Sequence, residues 1–264
     1  MLLTIDIGNT NIHLGIFLKN TLIHEFRFVT DDKWDYLCFK VEIEKFFDNN
    51  NLSKKDISGI IIASVVPNID NKILKACSKI NKKTTLLKNK ELEKIIKIDL
   101  QNKEEVGIDR LVNAIYANNK YGPNLIIIDF GTATNFDIVG NNLEYLGGII
   151  APGINLSLKA LSDFAAKLPK IIPSKQKNVI GKTTKEAMNS GIYFGYISLI
   201  NGLNKRIMDE HGEGMKIIAT GGLAEIFADE ISGLKKIEKN LTLEGLNLVY
   251  QNLNNSKLIN DDAK

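Results

Sequence analysis

The chain has 264 residues, 44% of them hydrophobic and 25% charged, with a formal net charge of +3. That is the composition of a globular protein able to bury a sizeable core in one large or two ordinary domains, and the charge is too small to argue for nucleic acid or a membrane surface as a partner. Cys38 and Cys77 lack metal-ligand or C-x-x-C spacing, no run approaches about 18 apolar residues, and the start reaches Asp6 without the basic opening of a signal peptide, so a cytoplasmic location is expected.

A short apolar strand runs from Leu2 into Asp6, a turn follows through Gly8, Asn9 and Thr10, and a second strand carries Ile12, Leu14 and Ile16 in period-two alternation. Glycine lets the backbone approach a ligand, and the turn amides with Asn9 and Thr10 offer hydrogen bonds suited to phosphate oxygens. Asp6 would repel phosphate, so it needs a cation between them. Thr21 to Val29 completes a β-meander, with Leu22, His24, Phe26 and Phe28 alternating against Ile23, Glu25 and Arg27. A helix is expected over 34–48, with Asp31 and Asp32 as candidate caps. Ile57 to Val66 reads as a buried strand, Pro67 marks its exit, and a helix over 68–80 follows. His13, His24 and His211 lack a second ligand at metal spacing and read as structural or exposed.

Residues 81–105 read as one helix or strand plus a loop. Val106-Gly107-Ile108-Asp109-Arg110 then opens a helix over 111–119. Asp109 can be an ordinary N-cap with Arg110 solvated, but a helix N-terminus beside an arginine is also a ready site for a substrate carboxylate. A second domain begins near Gly122-Pro123. Its hairpin leads to Tyr145 to Gly153, a strand with a glycine pair and a Pro-Gly turn, where a ligand or another backbone can come close. The next helix places Ile154, Leu158, Leu161, Ala165 and Leu168 on one stripe. After a proline-containing loop, Gly181 to Glu186 starts a long helix in which Gly191, Gly195, Ser198 and Gly202 form a small-residue stripe, for internal packing or for a dimer. Ile217 to Gly222 reads as the last strand and loop, 241–252 as a closing helix, and 254–264 as a frayed polar tail.

Laid over the first hairpin, Leu125 to Val139 puts Asp129 on Asp6 and Gly131 on Gly8, while Ile60 to Ser64 echoes Lys216 to Thr220. The chain therefore reads as two copies of one α/β unit. Two Asp-x-Gly hairpins followed by Thr220-Gly221-Gly222 resemble the acetate and sugar kinase, Hsp70 and actin superfamily. That resemblance implies two similar ribonuclease H-like (actin-like ATPase) domains, 1–120 and 121–264, with an interdomain nucleotide cleft. Asp6 to Thr10 would be the first phosphate loop, Asp129 to Thr134 the second, and Thr220 to Ala224 the adenosine loop.

Over nearly its whole length the sequence also resembles the type III pantothenate kinases. The resemblance rests on Asp6-Ile7-Gly8-Asn9-Thr10-Asn11, Val106 to Arg110, Asp129 to Thr134, Gly147 to Gly153, Lys167-Leu168-Pro169, Gly181 to Gly195, Ala219 to Ala224 and Leu241 to Leu246. It implies transfer of the ATP γ-phosphoryl group to the 4'-hydroxyl of pantothenate, the first step of coenzyme A synthesis, by a homodimer using Mg²⁺ and K⁺ or NH₄⁺. By the same resemblance Asp109 is the proton acceptor. Asp6, Ile7, Gly8, Asn9, Thr10, Asn11, Ile12 and His13, with Gly131, Thr132, Gly221 and Gly222, bind ATP. Leu100, Gly107, Ile108, Asp109, Arg110 and Thr184 line pantothenate, with Arg110 the natural partner of its carboxylate. Asp6 holds Mg²⁺ through water and Asp129 ligates the monovalent cation. Three positions depart from the family: Leu100 replaces a common tyrosine, Lys103 a common proline, and Asn135 the further threonine of the second loop. A non-catalytic relative would be expected to carry degraded loops, whereas Asp6, Asp109 and Asp129 are all present.

Overall fold

The computed structural model describes residues 1–31, 33–165 and 168–261. The first strands, β1 (Leu2–Ile7), β2 (Asn11–Leu18) and β3 (Thr21–Val29), form the expected meander. Both pairings are antiparallel, and Asp6, His13 and Arg27 stand opposite one another across it. Alternation decides which face each side chain takes. Leu3, Ile5, Ile7, Ile12, Leu14 and Ile16 form a hydrophobic core with Phe39, Ile43, Ile69 and Ile73 from α1 (Tyr36–Asn49) and α2 (Pro67–Ser78). The cap of α1 is Asp35, whose side chain accepts from the Leu37 and Cys38 amides. This corrects the expected cap: Asp31 instead accepts from Lys33 N, and Asp32 lies outside the described residues. Pro67 is the first residue of α2, where its missing N–H costs nothing.

β4 (Gly59–Ser64) lies parallel to β1, and β5 (Thr84–Leu86) extends the sheet beyond it, giving the order β3-β2-β1-β4-β5. The stretch expected as one element plus a loop contains four, β5, α3 (Asn89–Leu92), β6 (Lys97–Ile98) and a 3-10 turn (Lys103–Glu105). They are too short for periodicity to separate. α4 (Ile108–Tyr121) follows.

In the second half, β7 (Leu125–Phe130), β8 (Ala133–Val139) and β9 (Glu144–Pro152) repeat the meander. α5 (Ile154–Phe164) and α6 (Thr184–His211) precede β10 (Lys216–Thr220), which lies parallel to β7. α7 (Ala224–Phe227) leads to β11 (Leu234–Ile237), parallel to β10, so β10 is not the last strand. Within this unit the order is β11-β10-β7-β8-β9, the arrangement of the first sheet. A core of Ile126, Ile128, Phe130, Phe136 and Phe227 packs with Tyr193, Tyr196 and Ile200 of α6. α5 ends at Phe164 with Ala165 as its C-cap, so the expected stripe through Ala165 and Leu168 is cut short; Ile154 and Leu158 are its buried members. Lys167, one of the residues carrying the resemblance, lies outside the described residues.

α8 (Leu241–Asp261) continues past the expected end of the closing helix, so the tail expected to fray from 254 is helical as far as Asp261. The compact units are Met1–Tyr116 with Asn240–Lys264, and Ala117–Lys239. The closing helix thus belongs with the first unit and differs from the expected 121–264 division. Leu241, Leu243, Leu246 and Val249 are buried there, and a Cβ on Gly245 would lie 2.6 Å from Val112 of α4. Each of those side chains contributes roughly 1.5–3 kcal/mol by leaving water. An apolar stripe states that a helix is covered but not by which sheet.

Candidate functional site

The β1–β2 turn is short and clamped. Gly8 N donates to Asn11 O at 3.0 Å, Thr30 Oγ1 donates to Gly8 O at 2.7 Å and Thr30 N to Thr10 O at 2.9 Å. Asn9, Thr10 and Asn11 are exposed on it, and Asp6 is partly buried near the end of β1. Ile7 and Ile12 are fully buried in the core, so only their backbones can meet a ligand.

His13 has both ring nitrogens engaged. Arg27 Nη2 donates to Nδ1 at 2.9 Å, which leaves the ring proton on Nε2, 3.0 Å from Glu25 Oε2. Burial and the Arg27 charge push its pKa down from 6.5 to about 4. The His13–Glu25 contact is therefore a hydrogen bond from a neutral ring at pH 7 rather than an ion pair, despite its ion-pair distance.

Asp109 lies in the first turn of α4, which starts one residue earlier, so it is not the N-cap. Its Oδ1 accepts from Arg110 N at 2.8 Å, while Gly107 O receives Arg110 N at 3.2 Å. A Cβ on Gly107 would come within 2.5 Å of Asp109 Oδ1 and 3.4 Å of Val65 Cγ1. Val65 N in turn donates to Ile7 O at 3.0 Å. Asp109 Oδ1 and Val65 Cγ1 thus both border the space beside Gly107, and Val65 is hydrogen-bonded to the last residue of β1, next in sequence to Asp6. Burial raises the pKa of Asp109 above the ordinary carboxylate range, and the Arg110 amide and guanidinium pull it only partly back.

The segment leading into this turn is held by a residue that sequence reasoning missed. Asn89, buried in α3, donates to Lys103 O at 2.6 Å and Val106 O at 3.1 Å. No motif marks it, since its partners lie 14 and 17 residues away. Lys103 itself pairs with Glu93 at 2.8 Å, and Leu100 is partly exposed just beyond β6.

In the second unit the β7–β8 turn repeats the first, with Gly131 N donating to Ala133 O at 3.0 Å and Thr132 exposed. Two glycines back this turn. A Cβ on Gly153 would fall 2.1 Å from Thr132 O, and one on Gly221 would fall 2.6 Å from the Phe130 carbonyl. The close approach expected near Pro152-Gly153 is therefore that of another backbone. Gly222 faces open space. Asp129 stands opposite Asn135 on one side and Thr220 on the other. Asn135 Oδ1 is buried with no hydrogen-bond partner. Thr184 is the first residue of α6 and is exposed, while Thr183 is the cap and shares a capping box with Glu186. Among the described residues no group of three or more His, Cys, Asp or Glu is placed to hold a metal, so Asp6 and Asp129 sit outside any all-protein acidic cage.

A family model described as type III pantothenate kinase matches residues 2–206. The chain is 41% identical over 251 residues to a type III pantothenate kinase of Brevibacillus brevis, covering 95% of this chain and 98% of that one. It is 44% identical to one of Paramagnetospirillum magneticum, covering 93% and 95%. Among solved structures it resembles a candidate N-acetylmannosamine kinase from Listeria monocytogenes, with a TM-score of 0.54 at 12% identity over 96% of this chain and 98% of that one. The last likeness concerns fold alone, and it agrees with two ribonuclease H-like units.

Proposed function

Because the chain belongs to the type III pantothenate kinase family, we propose that it transfers the γ-phosphoryl group of ATP to the 4'-hydroxyl of pantothenate. The observation that supports this assignment of roles is that Asp109 Oδ1 and Val65 both border the space beside Gly107, while Val65 N is hydrogen-bonded to Ile7 O at the end of β1. Phosphoryl transfer asks the protein mainly to position groups and offset charge. The β1–β2 turn, clamped by Thr30, presents backbone amides to the phosphates. Gly131 and Thr132 do the same on the second turn, held against Gly153 and Gly221. Asp109 orients the pantothenate hydroxyl and accepts its proton. Its raised pKa makes it a stronger base than an ordinary aspartate, a help that sequence alone did not call for. Arg110 pairs with the pantothenate carboxylate.

The donor sets suit the implied cations. A single carboxylate is the usual protein share of a Mg²⁺ site completed by phosphates and water, which fits Asp6. The buried, unpartnered Asn135 Oδ1 opposite Asp129 fits a cation at the second hairpin. When bound at Asp6 and Asp129, Mg²⁺ and K⁺ or NH₄⁺ supply charge neutralisation for the phosphates.

We further infer a homodimer. A Cβ added at Gly191, Gly195 or Gly202 of α6 would meet no side chain or other element within 4 Å, and with Ser198 these residues form an exposed stripe open to a second helix. Leu161 and Phe164 of α5 are exposed as well. Among the described residues no helix is long and apolar enough to cross a membrane.

A coupled ADP assay tests the activity. ADP should form only with pantothenate present, and faster with K⁺ or NH₄⁺ than with an inert cation. ADP formation indifferent to pantothenate in protein that binds ATP would refute the proposal. Sedimentation of wild type against Gly195→Arg tests the dimer, with a shift to monomer expected.

A further inference from the structure

We propose that Asn135 is a direct oxygen ligand and a selectivity determinant for the monovalent cation, a reading that rests on the assignment of that cation to Asp129. Directly opposed residues of antiparallel strands lie about 4.5–5.5 Å apart at Cα and project from the same sheet face. Asp129 and Asn135 are such a pair in β7 and β8. The carboxylate and the carboxamide therefore stand side by side at the base of the second phosphate turn.

The carboxamide oxygen is out of place as it stands. Asn135 Oδ1 is buried with no hydrogen-bond partner. Leaving a buried acceptor without a donor is unfavourable, and sheets ordinarily avoid it. On the other side of Asp129, Thr220 Oγ1 donates to Glu238 O at 2.6 Å, so that hydroxyl proton is already committed within the protein. A carboxamide oxygen is a hard, neutral donor of the kind that takes an alkali cation without adding charge. Asp129 supplies the charge, and Asn135 supplies a second oxygen whose dipole is fixed by the strand. A cation held at this pair satisfies the orphaned acceptor and lies at the foot of Gly131 and Thr132. Two residues further along the same face, Asp137 is fully buried with Tyr145 Oη donating to its Oδ1 at 2.7 Å, which anchors β8 to β9 beneath the pair.

The test follows thermal melting as KCl replaces tetramethylammonium chloride at constant ionic strength, with a non-hydrolysable ATP analogue present. It compares wild type with Asn135→Leu, Asn135→Asp and Asp129→Asn. The wild-type melting temperature should rise with K⁺, and Asn135→Leu should need at least tenfold more K⁺ for the same rise. Asn135→Leu should also melt higher than wild type in K⁺-free buffer, because the orphaned oxygen is gone. Asn135→Asp keeps an oxygen at the site and should keep the K⁺ response, which protects the test against a Leu variant that fails to fold. If Asp129→Asn loses the K⁺ response and Asn135→Leu keeps it at wild-type concentrations, the Asn135 role is overturned while the Asp129 assignment stands. If both variants keep it, or wild type shows none, the cation assignment at Asp129 falls and the Asn135 role falls with it.

Discussion

Gly221 and its neighbour Gly222 offer a built-in comparison, because alanine should destabilise the fold at one and leave it intact at the next. Gly221 has φ +93, a conformation that side chains rarely adopt, and its Cβ would lie 2.6 Å from both C and O of Phe130 and 2.7 Å from its N. Comfortable carbon contacts begin at about 3.5 Å, so roughly 1 Å of overlap must be relieved. The obstructing atoms are backbone of β7, which cannot rotate aside. The positive φ costs a non-glycine residue about 1–2 kcal/mol and overpacking a further 1–3 kcal/mol, or about 2–5 kcal/mol together. At about 2–4 °C per kcal/mol for a chain of this size, Gly221→Ala should melt on the order of 5–15 °C lower. It should also raise KM for ATP, since relief of the clash moves the hairpin that carries Asp129 and Thr132. A Cβ on Gly222 would meet nothing within 4 Å, and Gly222→Ala should stay within about 0.5 kcal/mol of wild type in stability. Urea unfolding and initial rates against ATP measure both. A Gly221→Ala protein matching wild type in both assays, or a Gly222→Ala protein equally destabilised toward urea, would mean that the packing of Gly221 on Phe130 is not what holds the loop.

Asp109→Asn should lower kcat by ~10²-fold or more with ATP binding retained, as fits the loss of a proton acceptor. The same variant should be more stable than wild type at pH 7. A carboxyl with a raised folded pKa is fully tolerated below its unfolded pKa and loses that stability as pH rises through the folded value, so the difference should shrink toward pH 4; chemical unfolding across this range reads it. His13 works in the opposite sense. Its depressed pKa means stability is present above about 6.5 and is lost as pH falls toward about 4, on the order of 3 kcal/mol in all, and His13→Gln should flatten that limb; imidazole NMR titration should place the midpoint near 4. Native protein should react with a thiol reagent at Cys38 alone. Cys77 is buried with its thiol pushed up to about 12, and its labelling before unfolding would contradict that burial.

The two hairpins were legible from sequence because their evidence is local. Period-two alternation, an aspartate at the strand end and a glycine in the turn lie within a few residues of one another, and the repeat at Asp129 doubled the signal. The family followed from the order of such turns along the chain. Other features depend on residues that meet only after folding. Asp35 rather than Asp31 or Asp32 caps α1 because the helix starts later than its first aromatic suggests. The closing helix joins the first unit because Gly245 lets it settle on Val112, a contact that spans more than half the sequence. Asn89 holds the approach to Gly107 through two carbonyls outside its own element. The elevated pKa of Asp109 and the depressed pKa of His13 likewise arise from neighbours gathered by the sheet, since desolvation depends on surrounding atoms and not on sequence distance. Local chemistry wrote the turns into the chain, whereas the surroundings that tune their side chains came into being only when distant strands and helices packed together.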